Sequence, residues 1–194
     1  MDIGTLPNSV QFGQVVVGAP GAGKSTYCRA AAEFLRGTGR KVAVVNLDPG
    51  NEEPGYECAL DVRELCTVEG AMREHGLGPN GALLWCMETL EANGAWLAER
   101  LAPLRDCYLL LDCPGQIELF THHPSLRALL QRLTQRPAAL RLCAVGLTEA
   151  HHVADAGKYV ALALVALATM LQLELPMVHV LSKASARAAP VFVR

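Results

Sequence analysis

Gly18-Ala19-Pro20-Gly21-Ala22-Gly23-Lys24-Ser25 follows directly on the β-branched run Val15, Val16, Val17 and leads into residues 25–36, a stretch of helical composition that stops at Gly37. The octet satisfies G-x-x-x-x-G-K-[ST] in the strand, loop, helix context the pattern requires. The glycines let backbone N–H groups turn inward around β-phosphate oxygens, and the helix start adds positive dipole. Lys24 would neutralise β/γ charge, and the Ser25 hydroxyl can ligate Mg²⁺. The phosphate-binding set is Gly18, Pro20, Gly21, Ala22, Gly23, Lys24, Ser25 and Thr26, with Thr26 directed towards the α-phosphate. The alternative is a glycine turn that merely joins strand to helix.

Working outward, residues 41–47 (KVAVVNL), 108–111 (YLLL), 140–147 and 177–181 (MVHVL) read as further strands, with helical stretches between most of them. Near-continuous apolar strands alternating with helices imply an α/β fold, a mainly parallel sheet covered on both faces. Residues 61–75 and 82–104 read as a helical insertion between the second and third strands, joined by the polar corner LGPNGAL at 77–83. With 194 residues and no repeat or Ser/Gly-rich linker, one domain is expected across 1–194.

The composition narrows the class. An apolar share of 51%, a charged share of 19% and a net charge of −2 fit a globular protein and give no electrostatic footprint for nucleic acid. Seven scattered cysteines, none spaced C-x-x-C, read as reduced core thiols of a cytosolic protein. No basic segment followed by an apolar run stands at the amino terminus. The longest greasy stretch, 159–173, is shorter than the roughly 18 to 20 residues of a membrane span and is expected to be a buried helix. The adjacent pairs His122-His123 and His151-His152 point to different faces of any regular element, so they read as surface or capping groups rather than metal ligands.

A phosphate-bound Mg²⁺ takes one or two protein oxygens, so carboxylates at strand ends are wanted opposite Ser25. Asp48 closes KVAVVNL and Asp112 closes YLLL, on the edge where open α/β sheets bind ligands. Both could instead serve as helix caps or turn formers. Asp112-Cys-Pro-Gly115-Gln116 is D-x-x-G followed by Gln, a layout that can report a γ-phosphate through the Gly115 N–H and orient an attacking water through the Gln116 amide; a plain Pro-Gly turn is the alternative.

The ordered set GAPGAGKST, NLDPGNE, YECALDVREL, LGPNGALLWCMETLEAN and LLDCPGQIELFTHH, spanning about residues 11–183, resembles the GPN-loop GTPases. The resemblance implies a dimeric GTPase that uses GTP/GDP and Mg²⁺, pairs as a homodimer or with another GPN-loop GTPase, and acts in the cytoplasm. Assembly of RNA polymerase II and its delivery to the nucleus follow from the resemblance alone, with polymerase subunits or assembly factors as partners. Neither nucleic acid nor membrane is an expected direct partner. Carried over residue by residue, the resemblance places Asp48 near the metal and the water, Gln116 and Glu118 in the second switch, and Gly78, Pro79 and Asn80 in a loop. That loop reaches the nucleotide site of the other subunit. Gly78 would permit close backbone approach, Pro79 fixes φ, and Asn80 supplies neutral donors. Read alone, Asn80 or Gly81 could simply cap a helix beginning near Ala82. Arg63 is left unassigned.

The family pattern breaks after residues 177–181. Ser182-Lys183-Ala184-Ser185 stands where [NST]-K-x-D is expected; Lys183 is retained as a nucleotide-binding candidate, but Ser185 replaces the guanine-binding carboxylate. Thr148-Glu149-Ala150 replaces the usual Val-Asp-Ser, and residues 184–194 form a divergent tail, so the domain reads as incomplete at its carboxyl end. Hydrogen bonds to a charged group contribute about 1.5–3 kcal/mol each, so guanine preference is in question. Two rivals stand beside a GTPase: an isoform that keeps phosphate binding and dimerisation without guanine specificity, and a P-loop kinase for a small molecule. No Arg-rich lid is present for the kinase, and Ala19 and Pro20 stand where MinD-like ATPases carry a lysine.

Overall fold

The computed structural model describes residues 10–135 and 139–184. Six strands form one sheet: β1 (Phe12–Gly18), β2 (Val42–Asn46), β3 (Leu60–Asp61), β4 (Tyr108–Asp112), β5 (Arg141–Glu149) and β6 (Met177–Ser182). Their order is β3-β2-β4-β1-β5-β6, and every pairing is parallel. The helices are α1 (Lys24–Gly37), α2 (Val68–His75), α3 (Pro79–Ala92), α4 (Gly94–Leu101), α5 (Ile117–Thr121), α6 (Pro124–Thr134) and α7 (Ala156–Leu173).

The period of two along each strand sorts its side chains between two cores. Val15, Val17, Val45, Leu109 and Leu111 face the larger core with Met87, Leu90, Leu97 and Leu129 from α3, α4 and α6. Val16, Val44 and Leu110 face the smaller one with Cys28 and Ala32 from α1. Both faces are covered, which is why these strands carry no polar alternation. All seven cysteines are free; Cys28, Cys86 and Cys113 are buried and the other four half-buried, so the expectation of core thiols fits those three most closely.

Several sequence expectations need correction. Residues 61–75 are not one helix: Asp61 ends the short strand β3, paired with Asn46, and its carboxylate accepts from Arg63 N, capping a single 3-10 turn at Val62–Glu64. Helix α2 starts only after Thr67, whose side chain accepts from Gly70 N. The stretch 82–104 starts earlier than expected and breaks. α3 opens at Pro79, which needs no amide partner at the first helical position, with Gly78 as the capping residue. It ends at Asn93, whose φ of −97° and ψ of 31° leave the helical region, and α4 begins at Gly94. The Gly-Pro-Asn corner is therefore the first turn of a helix rather than a loop between helices.

The largest correction concerns residues 159–173, expected to be buried. They lie in α7, where only Thr169 and Leu173 are buried. Leu164, Leu167 and Leu171 are 61%, 47% and 66% exposed, and Val178 and Leu181 on the edge strand β6 are exposed as well. A cavity of about 150 Å³ lies behind the P-loop, with Leu162 and Val165 of α7 facing Gly146 and Met177 of the sheet across it. α7 is also longer than expected; at 18 residues with a mean hydropathy of 1.6 it has the length and composition to cross a membrane. Its place in the chain argues otherwise: it is the crossover between β5 and β6, adjacent parallel strands of one sheet, and cannot leave that sheet without undoing the unit.

Candidate functional site

The register of the sheet builds the site. Asp112 lies level with Val16 on β1 and with Asn46 on β2, so the carboxyl ends of these three strands meet where the strand order reverses. Two backbone bonds extend the registration past the strands: Leu47 N donates to Asp112 O at 2.8 Å, and Cys113 N donates to Val16 O at 3.2 Å. Asp48, Asp112 and the P-loop are thereby held along one edge.

The P-loop needs its glycines. Gly21 and Gly23 have φ of 77° and 95°, in the left-handed region that L side chains rarely adopt. A Cβ on Gly18 would come within 2.6 Å of Leu147 O on β5. Lys24 is buried and folds back over the loop, its Nζ donating to Gly18 O at 3.1 Å and Ala19 O at 3.3 Å. Gly115 closes against the same loop, since a Cβ there would lie 2.8 Å from Lys24 Nζ and 2.9 Å from Pro20 N. The D-x-x-G turn is thus packed on the P-loop, and its glycine is required by that approach.

Between these parts runs an open cleft of about 490 Å³, lined by the P-loop, Ser25, Thr26, Asp48, Gly115 and Gln116. Asp112 is 1% exposed, and its Oδ1 is buried without a hydrogen-bond partner. Burial pushes its titration up, opposed by the Ser25 and Tyr56 hydroxyls and by Lys24, while Asp48 adds to the rise. Burial raises Asp48 too, offset in part by Gly50 N–H, which donates to Asp48 Oδ1 at 2.9 Å, and by Lys24. Two carboxylates disfavoured as anions, one with an unsatisfied oxygen, beside the Ser25 hydroxyl form an all-oxygen donor set suited to a hard divalent cation.

The remaining predicted residues fall in three places. Gln116 Nε2 donates to Asn80 Oδ1 at 2.7 Å, so the first turn of α3 touches the D-x-x-G turn within a single chain. Leu83, one turn further along α3, lines the cleft. Gly78 and Pro79 lie beyond it; a Cβ on Gly78 would meet nothing within 4 Å, so no packing among the described residues calls for a glycine there. Glu118 is exposed on α5 and does not line the cleft. Lys183, in a left-handed backbone conformation at φ 56°, ties its Nζ to Glu149 Oε1 at 2.9 Å. That carboxylate oxygen lies 3.9 Å from the Cβ position of Gly21, on the flank of the P-loop away from Asp48. Ser185 and the rest of the tail lie outside the described residues.

Sequence reading missed Asn51 and Tyr56. Asn51 Nδ2 donates to Ser25 Oγ at 3.2 Å, and Tyr56 OH donates to Asp112 Oδ2 at 2.8 Å. The available signal was the turn-rich stretch DPGNEEPGY at 48–56, in which a lone aromatic follows a run of polar turn formers. Arg63, left open before, is held by Asp61: its Nε and Nη2 reach Asp61 Oδ2 at 2.9 and 2.6 Å. Of the histidine pairs, His123 caps α6, its Nδ1 accepting from Ser125 N at 3.3 Å. Among the described residues no group of three or more His, Cys, Asp or Glu is placed to hold a metal.

A family model described as a conserved hypothetical ATP binding protein matches residues 16–190. GPN-loop GTPase 2 of Danio rerio is 51% identical over 177 residues, covering 91% of this chain and 56% of that protein. GPN-loop GTPase QQT1 of Arabidopsis thaliana is 52% identical over 173 residues, covering 89% of this chain and 58% of its own length. The chain thus spans little more than half the length of these curated relatives. Among solved structures, a GTPase from Pyrococcus abyssi in apo form superposes with a TM-score of 0.80 at 31% identity, covering 91% of this chain and 69% of that one. Cell division protein ftsY of Thermotoga maritima, at 12% identity and a TM-score of 0.51, shares the fold alone. With the P-loop, the D-x-x-G turn and the Gly-Pro-Asn helix start all in place, the chain belongs to the GPN-loop GTPase family.

Proposed function

We propose that this chain binds guanine nucleotide with Mg²⁺ and hydrolyses GTP to GDP and phosphate. The observation that carries the reading is a cleft lined by the P-loop with Lys24 and Ser25 and by the strand-end carboxylate Asp48, with the buried carboxylate Asp112 behind it beside Ser25. Inward-facing amides from Gly21 to Ser25 would hold the β-phosphate, and Lys24 would leave the Gly18 and Ala19 carbonyls for phosphate oxygens. Ser25, Asp48 and Asp112 would hold Mg²⁺, which, when bound, neutralises charge on the β/γ oxygens. Gln116 and Asp48 would orient the attacking water while Gly115 N–H contacts the γ-phosphate. Positioning and charge neutralisation do nearly all the work in such a site.

In this reading Asn80 serves the nucleotide site of a second subunit, either a second copy or another GPN-loop GTPase. Supporting it are the exposure of Asn80, its contact with Gln116, which lines the cleft, and a Gly78 whose freedom no packing among the described residues uses. A cytoplasmic role in RNA polymerase II assembly, with delivery to the nucleus, rests on the family resemblance.

A second reading, phosphate binding without guanine selectivity, is favoured by Ser185 and by the engagement of Lys183 with Glu149. Calorimetric titration with GTP, GDP and ATP, with and without Mg²⁺, separates the two. Guanine nucleotides binding more tightly than ATP, with phosphate released from GTP at high protein concentration, is the outcome expected of a GTPase. Equal affinity for GTP and ATP favours the second reading. Lys24→Ala should lower triphosphate affinity by about 100-fold, through loss of charge-assisted bonds to the β/γ oxygens. Unchanged affinity in that variant would overturn both.

A further inference from the structure

We propose that Tyr56 is a positioning residue of the divalent-cation site: its phenol takes Oδ2 of the Asp112 carboxylate and so reserves Oδ1 for the cation or a water that the cation holds. The inference rests on the reading of the cleft as a nucleotide and Mg²⁺ site, and it adds to that reading a residue from outside the recognised motifs.

Asp112 ends a strand that is buried from Leu109 onward, and a carboxylate there has two oxygens to satisfy. Tyr56 OH donates to Oδ2 at 2.8 Å, while Oδ1 is buried and unpartnered. An unsatisfied buried carboxylate oxygen is costly, and a cation or its ordered water removes the cost. Facing a carboxylate, which accepts only, the phenol is the donor of this bond. Its ring packs against the smaller core beneath α1, which fixes the direction of the hydroxyl. With the Ser25 hydroxyl also beside this carboxylate, the bond from the packed Tyr56 ring fixes Oδ2 and so the rotation of the group. Groups that orient metal ligands in this way commonly alter metal affinity by about 10- to 100-fold.

The same connection between β2 and β3 also reaches Ser25, through Asn51 Nδ2 at 3.2 Å. One segment, residues 49–56, thus touches both a hydroxyl and a carboxylate of the donor set. Tyr56→Phe removes the hydroxyl and keeps the ring, so the site loses its aim without losing its support.

The test measures affinity for a fluorescent guanosine diphosphate across a series of free Mg²⁺ concentrations, and in excess chelator, for wild type, Tyr56→Phe and Tyr108→Phe. Tyr108 packs against the same core but donates to no cleft residue, so its variant controls for loss of a half-buried phenol. The free Mg²⁺ needed for half of the full tightening should rise about 10-fold or more in Tyr56→Phe and stay unmoved in Tyr108→Phe. Affinity in chelator should be the same in all three. An identical Mg²⁺ midpoint in wild type and Tyr56→Phe overturns the proposal while leaving the nucleotide reading intact. A fall in chelator affinity in Tyr56→Phe, with no midpoint shift, also overturns it and makes Tyr56 a structural prop. Wild type that binds no nucleotide at any Mg²⁺ concentration overturns the proposal and the function together.

Discussion

Helices α3 and α7 are both long and apolar, yet they end up in opposite environments. α3 buries Leu83, Met87 and Leu90 against the sheet and α6, packs Ala82 and Cys86 with Ala71 of α2, and its first turn delivers Asn80 to the candidate site. α7 carries the more continuous apolar sequence and buries only Thr169 and Leu173. Hydropathy states how much surface a helix would do well to cover. What covers it is decided by the neighbours that topology supplies. α3 packs with α2, α4 and α6, whereas α7 lies beside β5 and, among the described residues, packs mainly with α5, α6 and the short 3-10 segment Ala150–Ala154. An exposed apolar face of that extent ordinarily marks a surface that something else covers.

The contrast can be broken most directly by truncating one leucine on each helix. Leu90→Ala, at a fully buried position of α3, should cost about 2–5 kcal/mol in urea denaturation, from lost transfer energy plus the cavity left behind. Leu164→Ala, 61% exposed on α7, should change stability by no more than about 0.5 kcal/mol. Comparable losses at the two sites would mean that α7 is covered in solution.

A smaller effect sharpens the same point. Leu164→Glu combined with Leu171→Glu should leave the unfolding midpoint where it is and reduce binding of an apolar dye, because the substitutions remove exposed apolar surface without opening a cavity. If the double variant instead loses stability in proportion to dilution, a second copy of the chain covers that face, and the difference between α3 and α7 belongs to the monomer alone.

The smallest effect concerns how α7 is held at its start. Asp155 Oδ1 accepts from Lys158 N at 3.0 Å, and the backbone N–H groups of Lys158 and Gly157 draw the Asp155 titration below the ordinary carboxylate range. A carboxylate whose folded value is depressed contributes stability above its unfolded value, near about 3.9, and loses that contribution as pH falls through the folded value. Helicity followed by circular dichroism should therefore fade at the acid end in wild type. Asp155→Asn, which still caps but does not titrate, should make that acid limb shallower. A weakly packed helix should feel its cap more than α3 does, whose capping Gly78 offers no side-chain bond.

How much of this was legible beforehand differs by element. The strands around the P-loop were readable because a strand buried on both faces leaves an apolar run of characteristic length. The octet at 18–25 was readable because its glycines serve a backbone shape no other residue adopts cheaply. β3 escaped notice because two residues carry no periodicity; only its pairing with β2 makes Leu60–Asp61 a strand. α3 was placed too late because Gly-Pro-Asn resembles a turn, although proline is at home in the first turn of a helix. Hydropathy and length point to a buried helix at 159–173, but neither says which neighbours are there to cover it. The turn-rich stretch 48–56 marks Asn51 and Tyr56 as unusual, but a hydrogen bond across 26 or 56 residues of sequence leaves no local sign of its partner.

The sequence by itself determined the phosphate cradle, the candidate donors Ser25, Asp48 and Asp112, and the alternation of strand and helix, since each rests on local chemistry: glycine torsions, side-chain donors and the period of apolar residues. Tertiary structure alone decided that Asp112 stands level with both β1 and β2, that Gln116 meets Asn80, that Tyr56 holds one carboxylate oxygen, and that α7 stays exposed. Those outcomes depend on which segments the sheet order brings side by side, a quantity that strand register fixes and composition does not.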